Sequence, residues 1–245
     1  MTEIIETKRV KLRNPILIEG FPGVGMIGTA ATMYLVKLMK MEMCGYIKSE
    51  KFPPFCSIHN GIPLPPARIY ASKEKNMYVI FSEFAIPLTA AYDVADEIIK
   101  WCKKKKVRRI YSLGGISIKV APEDIDKVFG VATTDETREL LKKNDVMIIK
   151  EGLTTGVTGA ILANCYVKGY PALSLLTPSR ALKVDLMSAA AVLEKLEDIE
   201  GIDIDTDKLM EEGRKIERIM KELIDRAKEV KERYKKIEEI GPMYR

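Results

Sequence analysis

The sequence predicts an α/β fold: a mostly parallel sheet with helices on both faces, followed by a long C-terminal helix. Two observations lead there. Short apolar runs such as Pro15–Glu19, Arg109–Leu113 and Ala172–Leu176 alternate with amphipathic stretches at helical spacing, the pattern of βαβ units. After Asp207 that alternation gives way to a continuous, highly charged, proline-free stretch.

Taken in order, Pro15–Glu19 is a short buried strand that enters the glycine-rich turn Gly20–Gly28. A helix follows to about Lys40, with Ile27, Ala31, Leu35 and Leu38 on one face. Tyr46–Ser49 is a strand. Lys51–Pro66 holds Pro53, Pro54, Pro63, Pro65 and Pro66; proline cannot donate to a central ladder, so this is a surface loop. Arg68–Ala71 and Met77–Phe81 flank the polar Ser72–Asn76 as a hairpin. Leu88–Cys102 is helical and leads to the strand Arg109–Leu113. Val128–Thr133 and Val146–Ile149 are strands around the helix Thr134–Lys143, whose first turn is acidic. Glu151–Gly159 is a Gly/Thr loop before the helix Ala160–Val167. Ala172–Leu176 is the last strand and Asp185–Leu196 the last helix of the core.

Beyond it, Ile216, Met220, Leu223, Ala227, Val230, Tyr234 and Ile237 step by 4, 3, 4, 3, 4, 3. That is a heptad seam. Glu-to-basic pairs four residues apart decorate the outside, as in Glu217/Lys221 and Glu229/Arg233, each stabilising by about 0.2–0.5 kcal/mol. The seam predicts contact with the same helix of another subunit in preference to packing on its own domain. Gly241-Pro242 stops the helix, and Met243-Tyr244-Arg245 follows. An apolar-aromatic pair with a terminal carboxylate suits capture in a partner's pocket.

Composition narrows the function. The net charge of +5, from 40 basic and 35 acidic residues, does not by itself call for nucleic acid. Lys103–Lys106 falls at a helix C-terminus, where cations complement the macrodipole. Cys44, Cys56, Cys102 and Cys165 form no CxxC pair, and with no signal peptide expected at Met1–Leu12 a reducing cytoplasm is the expectation. No stretch is apolar enough for a membrane span. The absence of glutamine among many Lys and Glu residues resembles hyperthermophile composition.

Motifs that carry chemistry are few. Gly23-Val24-Gly25-Met26-Ile27-Gly28 is a GxGxxG between strand and helix, with Glu50 22 residues further on as a candidate ribose acid. Against a dinucleotide site stand the bulky Phe21-Pro22 and the proline-rich segment in place of the next βα unit. The other reading is a tight turn with closely packed glycines. No Walker A sequence occurs. His59 is the only histidine; in its proline-rich loop it reads as surface, not as a catalytic base, and a lone histidine without paired cysteines argues against zinc. Asp93, Asp96 and Glu97 beside Lys100 read as a solvated helix face. Gly114-Gly115 and Gly152–Gly159, with Thr154, Thr155 and Thr158, are either packing turns or an anion cradle beyond the strand ends.

Together these residues resemble the proteasome assembly chaperone family in its archaeal form. The resemblance rests on Gly20-Phe21-Pro22-Gly23-Val24-Gly25 with Gly28, Gly114-Gly115, Thr155-Gly156 with Gly159, Tyr170-Pro171-Ala172, and Asp185 with its Ala-rich helix. It covers about Asn14 to Leu209. It implies a core similar to the purine nucleoside phosphorylase architecture, used for protein binding, and homo- or hetero-oligomers. It also implies a C-terminal hydrophobic-tyrosine-any motif, matched here by Met243, Tyr244 and Arg245, that inserts between proteasome α-subunits.

The expectation is therefore a non-enzymatic proteasome assembly chaperone or adaptor in the cytoplasm. Residues 1–206 form the core, 207–240 the amphipathic helix and 241–245 the docking tail. Its partners are proteasome α-subunits or core particle and further copies of itself, with no cofactor, metal, nucleic acid or membrane. Two alternatives remain at this point: a nucleotide- or nucleoside-binding enzyme using the Gly23–Gly28 turn, and an oligomeric scaffold with its tail tucked in.

Overall fold

The computed structural model describes residues 1–117, 124, 127–179, 184–209 and eight isolated positions between 211 and 232. The strands are β1 (Thr2–Glu6), β2 (Ile16–Gly20), β3 (Glu42–Ser49), β4 (Ser57–His59), β5 (Ile62–Leu64), β6 (Ala67–Ser72), β7 (Met77–Ser82), β8 (Arg109–Ile116), β9 (Phe129–Ala132), β10 (Met147–Ile148) and β11 (Ala172–Pro178). The helices are α1 (Ile27–Leu38), α2 (Leu88–Lys105), α3 (Asp135–Lys143), α4 (Gly156–Val167) and α5 (Leu186–Glu200).

Nine strands form one sheet in the order β1-β3-β6-β7-β2-β8-β11-β9-β10, and β4 and β5 pair separately. The middle is parallel: β7, β2, β8 and β11 run side by side. The β1–β3–β6–β7 edge is antiparallel, as is the β11–β9 junction. The α/β class and the Met77–Phe81 hairpin are as the sequence predicts. The fully buried runs of β2 and β7 need cover on both sides. On the first face Ile16 and Ile18 pack with Ala31 and Leu35 of α1, Leu141 of α3 and Leu193 of α5. On the second, Leu17 and Ile110 pack with Val94 and Ile98 of α2 and Ile161 of α4.

Local signals set the helix ends. Thr134 caps α3 in a capping box with Thr137. Asp185 Oδ1 accepts from Ser188 N–H at 3.1 Å to cap α5. Lys103, Lys104 and Lys105 occupy the last turn of α2. After α5 the chain stays on the first face. Ile202, Ile204 and Leu209 join its core, and Tyr34 of α1 donates to the Asp205 carbonyl.

Two expectations need correction. β3 begins at Glu42, four residues before Tyr46, and carries a bulge between Met43 and Gly45 that breaks its alternation. The proline-rich segment 51–66 is not wholly loop, since Ser57–His59 and Ile62–Leu64 pair around the Asn60-Gly61 turn. β1 had no sequence counterpart. The seam residues Ile216, Met220, Leu223, Ala227, Val230, Tyr234 and Ile237, and Met243-Tyr244-Arg245, lie outside the described residues. The isolated described positions Arg218, Lys221, Glu222, Asp225, Glu229 and Glu232 are helical and exposed; none belongs to the seam.

Candidate protein-docking surface

In a parallel sheet, loops beyond the strand C-termini are where a ligand would bind. The first, Gly20–Gly28, is closed by its own glycines. A Cβ on Gly20 would meet the Gly28 carbonyl, one on Gly28 the Leu113 carbonyl, and one on Gly115 the Val24 carbonyl. Gly25 has φ 61° and abuts Ser179, and its carbonyl accepts from Asp185 N–H at 2.9 Å. The glycines serve backbone-to-backbone packing, and the start of α5 seals the turn. Glu50, the candidate ribose acid, lies past β3, three strands from β2, where it pairs with the Met1 amino group. The dinucleotide fingerprint therefore lacks its geometry.

The second connection, Gly152–Gly159, is bound to the body through Thr158. Its hydroxyl donates to Glu19 Oε1 at 2.8 Å, and Phe21 N–H donates to Glu19 Oε2 at 3.2 Å. Glu19 is fully buried at the end of β2. Desolvation pushes its carboxyl above the ordinary carboxylate range, against those hydrogen bonds. Thr158 is thus committed to a buried acid inside the protein.

His59 is not a free loop residue. It lies on β4 with Nε2 2.9 Å from Glu83 Oε1, without hydrogen-bond alignment. Glu83 is buried and paired to Arg68, a guanidinium that also donates to Pro65 O and Tyr70 Oη at 2.9 Å each. Burial alone would raise the Glu83 carboxyl; Arg68 outweighs it and holds the group below its ordinary range. Phe52 and Phe55 stack edge-on against Phe84, centroids 5.0 and 5.1 Å away. The network seats the β4–β5 hairpin on the sheet. The β6–β7 register brings the pair together: Arg68 opposes Phe81, two residues before Glu83.

Asp93, Asp96 and Glu97 are half-buried, not a fully solvated face: they pair with Lys51, Lys168 and Lys100, and Asp96 also accepts from Asn164 of α4. Among the described residues no group of three or more His, Cys, Asp or Glu side chains could hold a metal, and no helix is long and apolar enough to cross a membrane. A polar depression of about 270 Å³ beside α5 includes Lys127 and Lys195, but each is paired with a nearby aspartate.

The exposed surface offers apolar side chains instead. Val24, Leu88 and Met187 follow β2, β7 and β11, Leu153 precedes α4, and Ile58 and Ile62 stand on the hairpin. All six lie at the carboxyl end of the parallel strands. Protein contact is the chemistry such a surface can perform.

The model of the PAC2 family matches residues 17–224. The chain belongs to the PAC2 family. An uncharacterised Methanocaldococcus jannaschii protein, MJ0106, is 32% identical over 223 residues, covering 91% of each chain. Pyrococcus furiosus PbaA, described as an archaeal homolog of proteasome-assembly chaperone, superposes with a TM-score of 0.81 at 29% identity, over 93% of this chain and 100% of PbaA. Pyrococcus furiosus PbaB, described as an archaeal proteasome activator, has a TM-score of 0.74 at 24% identity, over 91% of this chain and 98% of PbaB, a likeness of fold. As a PAC2 protein this chain has the fold of the archaeal chaperone homologues.

Proposed function

We propose that this PAC2 protein is a non-enzymatic assembly chaperone or adaptor that binds proteasome α-subunits through Met243-Tyr244-Arg245. The observation that carries the reading is this tail, in a chain of a family whose relative PbaA is described as a homolog of proteasome-assembly chaperone. Met243 fills an apolar niche, Tyr244 stacks and hydrogen-bonds, and the Arg245 carboxylate pairs with a pocket lysine. Residues 1–206 form the body, and the 207–240 helix carries the tail. Its seam from Ile216 to Ile237 joins copies of the chain into a homo-oligomer. One tyrosine tail buries only about 150–250 Å². Several tails on one oligomer strengthen binding by about 10²–10⁴ through effective concentration.

A pull-down of α-subunits or core particle tests the reading. It compares intact chain, Tyr244→Ala, and a chain with one residue added after Arg245. Loss of capture by both altered chains is expected; undiminished capture by both would refute the tail mechanism.

A further inference from the structure

The large sheet ends in two edge strands of different character. β10 is only two residues long, and so short an edge offers little to pair with. β1, at the other end, is five residues long and holds neither proline nor lysine. Its strand partner among the described residues is β3, and all five of its residues are half-buried.

Hydrogen-bond parity fixes which way the backbone of β1 points. Glu50 N–H donates to the Met1 carbonyl at 3.3 Å, and Thr7 N–H donates to the Cys44 carbonyl at 3.0 Å. Between these bonds Thr2 lies opposite Ser49 and Glu6 opposite Gly45. In an antiparallel pair the bonded positions alternate, so the odd-numbered residues carry the ladder to β3. Thr2, Ile4 and Glu6 therefore turn their backbone groups outward. Each presents one N–H donor and one C=O acceptor to the open edge, the arrangement that an added strand satisfies.

The side chains beside that edge define the strand that fits. Thr2, Ile4 and Glu6 share the second face of the sheet, where Ile4 packs against the core that contains α2. Glu6 accepts from Trp101 Nε1 at 3.2 Å and from Lys105 Nζ at 2.6 Å. Lys105 suffices to balance this carboxylate, yet Lys104 also stands 3.7 Å from it, with a side chain 75% exposed. Two cations on one carboxylate leave a positive charge unmatched at the edge. On the first face Glu3 and Lys48 lie 3.7 Å apart and balance each other.

We infer that β1 is a docking edge for an extended, acidic segment of a partner protein, bound by strand addition. The added strand takes up the outward backbone groups of Thr2, Ile4 and Glu6. Its residue opposite Ile4 is apolar, and a residue two positions along, on the same face, is a carboxylate that pairs with Lys104. A lysine at that position would meet Lys104 as a like charge. The site makes no use of Met243-Tyr244-Arg245, so Tyr244→Ala leaves it intact.

Fluorescence anisotropy of the full chain with a labelled heptapeptide tests it. The peptide has threonine at its odd positions and valine, glutamate and valine at its even ones; a second peptide has lysine in place of glutamate. The glutamate peptide should bind the wild type saturably, and the lysine peptide about fivefold more weakly. Lys104→Glu should reverse that preference. Ile4→Pro removes an outward N–H and spares the ladder to β3; it should weaken the glutamate peptide about tenfold, with the fold intact by circular dichroism. Absence of saturable binding, equal binding by Ile4→Pro, or an unreversed preference in Lys104→Glu would overturn the inference. Residue-resolved hydrogen exchange of the free chain is the second readout. The Ile4 amide should exchange fast between slow Glu3 and Ile5 amides. A slow Ile4 amide, or a lower assembly mass in Ile4→Pro, would mean that this chain itself occupies the edge, and would equally overturn it.

Discussion

Two glycine-rich connections meet at the carboxyl end of β2, where Thr158 of one holds Glu19 before the other, and they are built differently. In Gly20–Gly28 the key glycines are walled in by backbone carbonyls and by the start of α5. In Gly152–Gly159, Gly159 is walled in by Thr154, but Gly156, at φ 69°, faces open space, and Leu153 is exposed. Similar composition thus serves a closed joint in one place and a surface loop in the other. A glycine pattern reports that backbone must come close to something; whether that is a ligand or the protein itself depends on which strands lie alongside.

The largest expected effect comes from the network beside the closed joint. Arg68→Ala leaves Glu83 buried without its cation and should cost about 3–5 kcal/mol in denaturant unfolding. Its pH signature has a definite sign. Glu83 is held below its ordinary range, so the pair's contribution is present above the unfolded carboxylate value and is lost as pH falls through the folded one. The wild-type advantage over Arg68→Ala should therefore shrink on acidification.

Next comes the joint itself. Gly28→Ala sets a methyl against the Leu113 carbonyl, a backbone atom that cannot swing away, and should destabilise by about 3 kcal/mol. Gly156→Ala meets no neighbour and bears only the left-handed backbone, about 1 kcal/mol. Equal costs at the two sites would break the contrast between the connections.

Glu19 ties the two connections together, and its effect is a matter of pH. Its carboxyl is raised in the folded state. Its favourable contribution is complete below the unfolded carboxylate value, about 4.3, and is lost as pH rises through the folded value. Glu19→Gln keeps an acceptor for Thr158 without the ionisation. The variant should be as stable as wild type near pH 4 and more stable at neutral pH.

The smallest effect is a null one. In a thermal-shift screen against NAD, ATP, nucleosides and phosphate, no ligand should stabilise the chain. A ligand bound at the closed turn, present at 100 times its Kd, would add about 2.7 kcal/mol.

Most of the core was legible from periodicity, because β2, β7, β8 and β11 are short apolar runs bounded by turns. What escaped detection did so for physical reasons. β1 is a half-buried edge strand with mixed Glu and Ile whose pairing is set by β3, not by its own pattern. β3 hid its start behind the bulge at Gly45, where a Cβ would press on the Ile5 carbonyl of β1. The β4–β5 pair tolerates Pro63 because it stands apart from the main sheet. The buried charges Glu19, Arg68 and Glu83 escaped because burial of a charge depends on partners far along the chain.

The central claim is that Met243-Tyr244-Arg245 binds proteasome α-subunits. The most direct measurement is the affinity of the full chain for purified α-subunits by biolayer interferometry, wild type against Tyr244→Ala. A loss of at least about tenfold, about 1.4 kcal/mol, is predicted with the oligomer mass unchanged. Equal affinity in the two chains would contradict it.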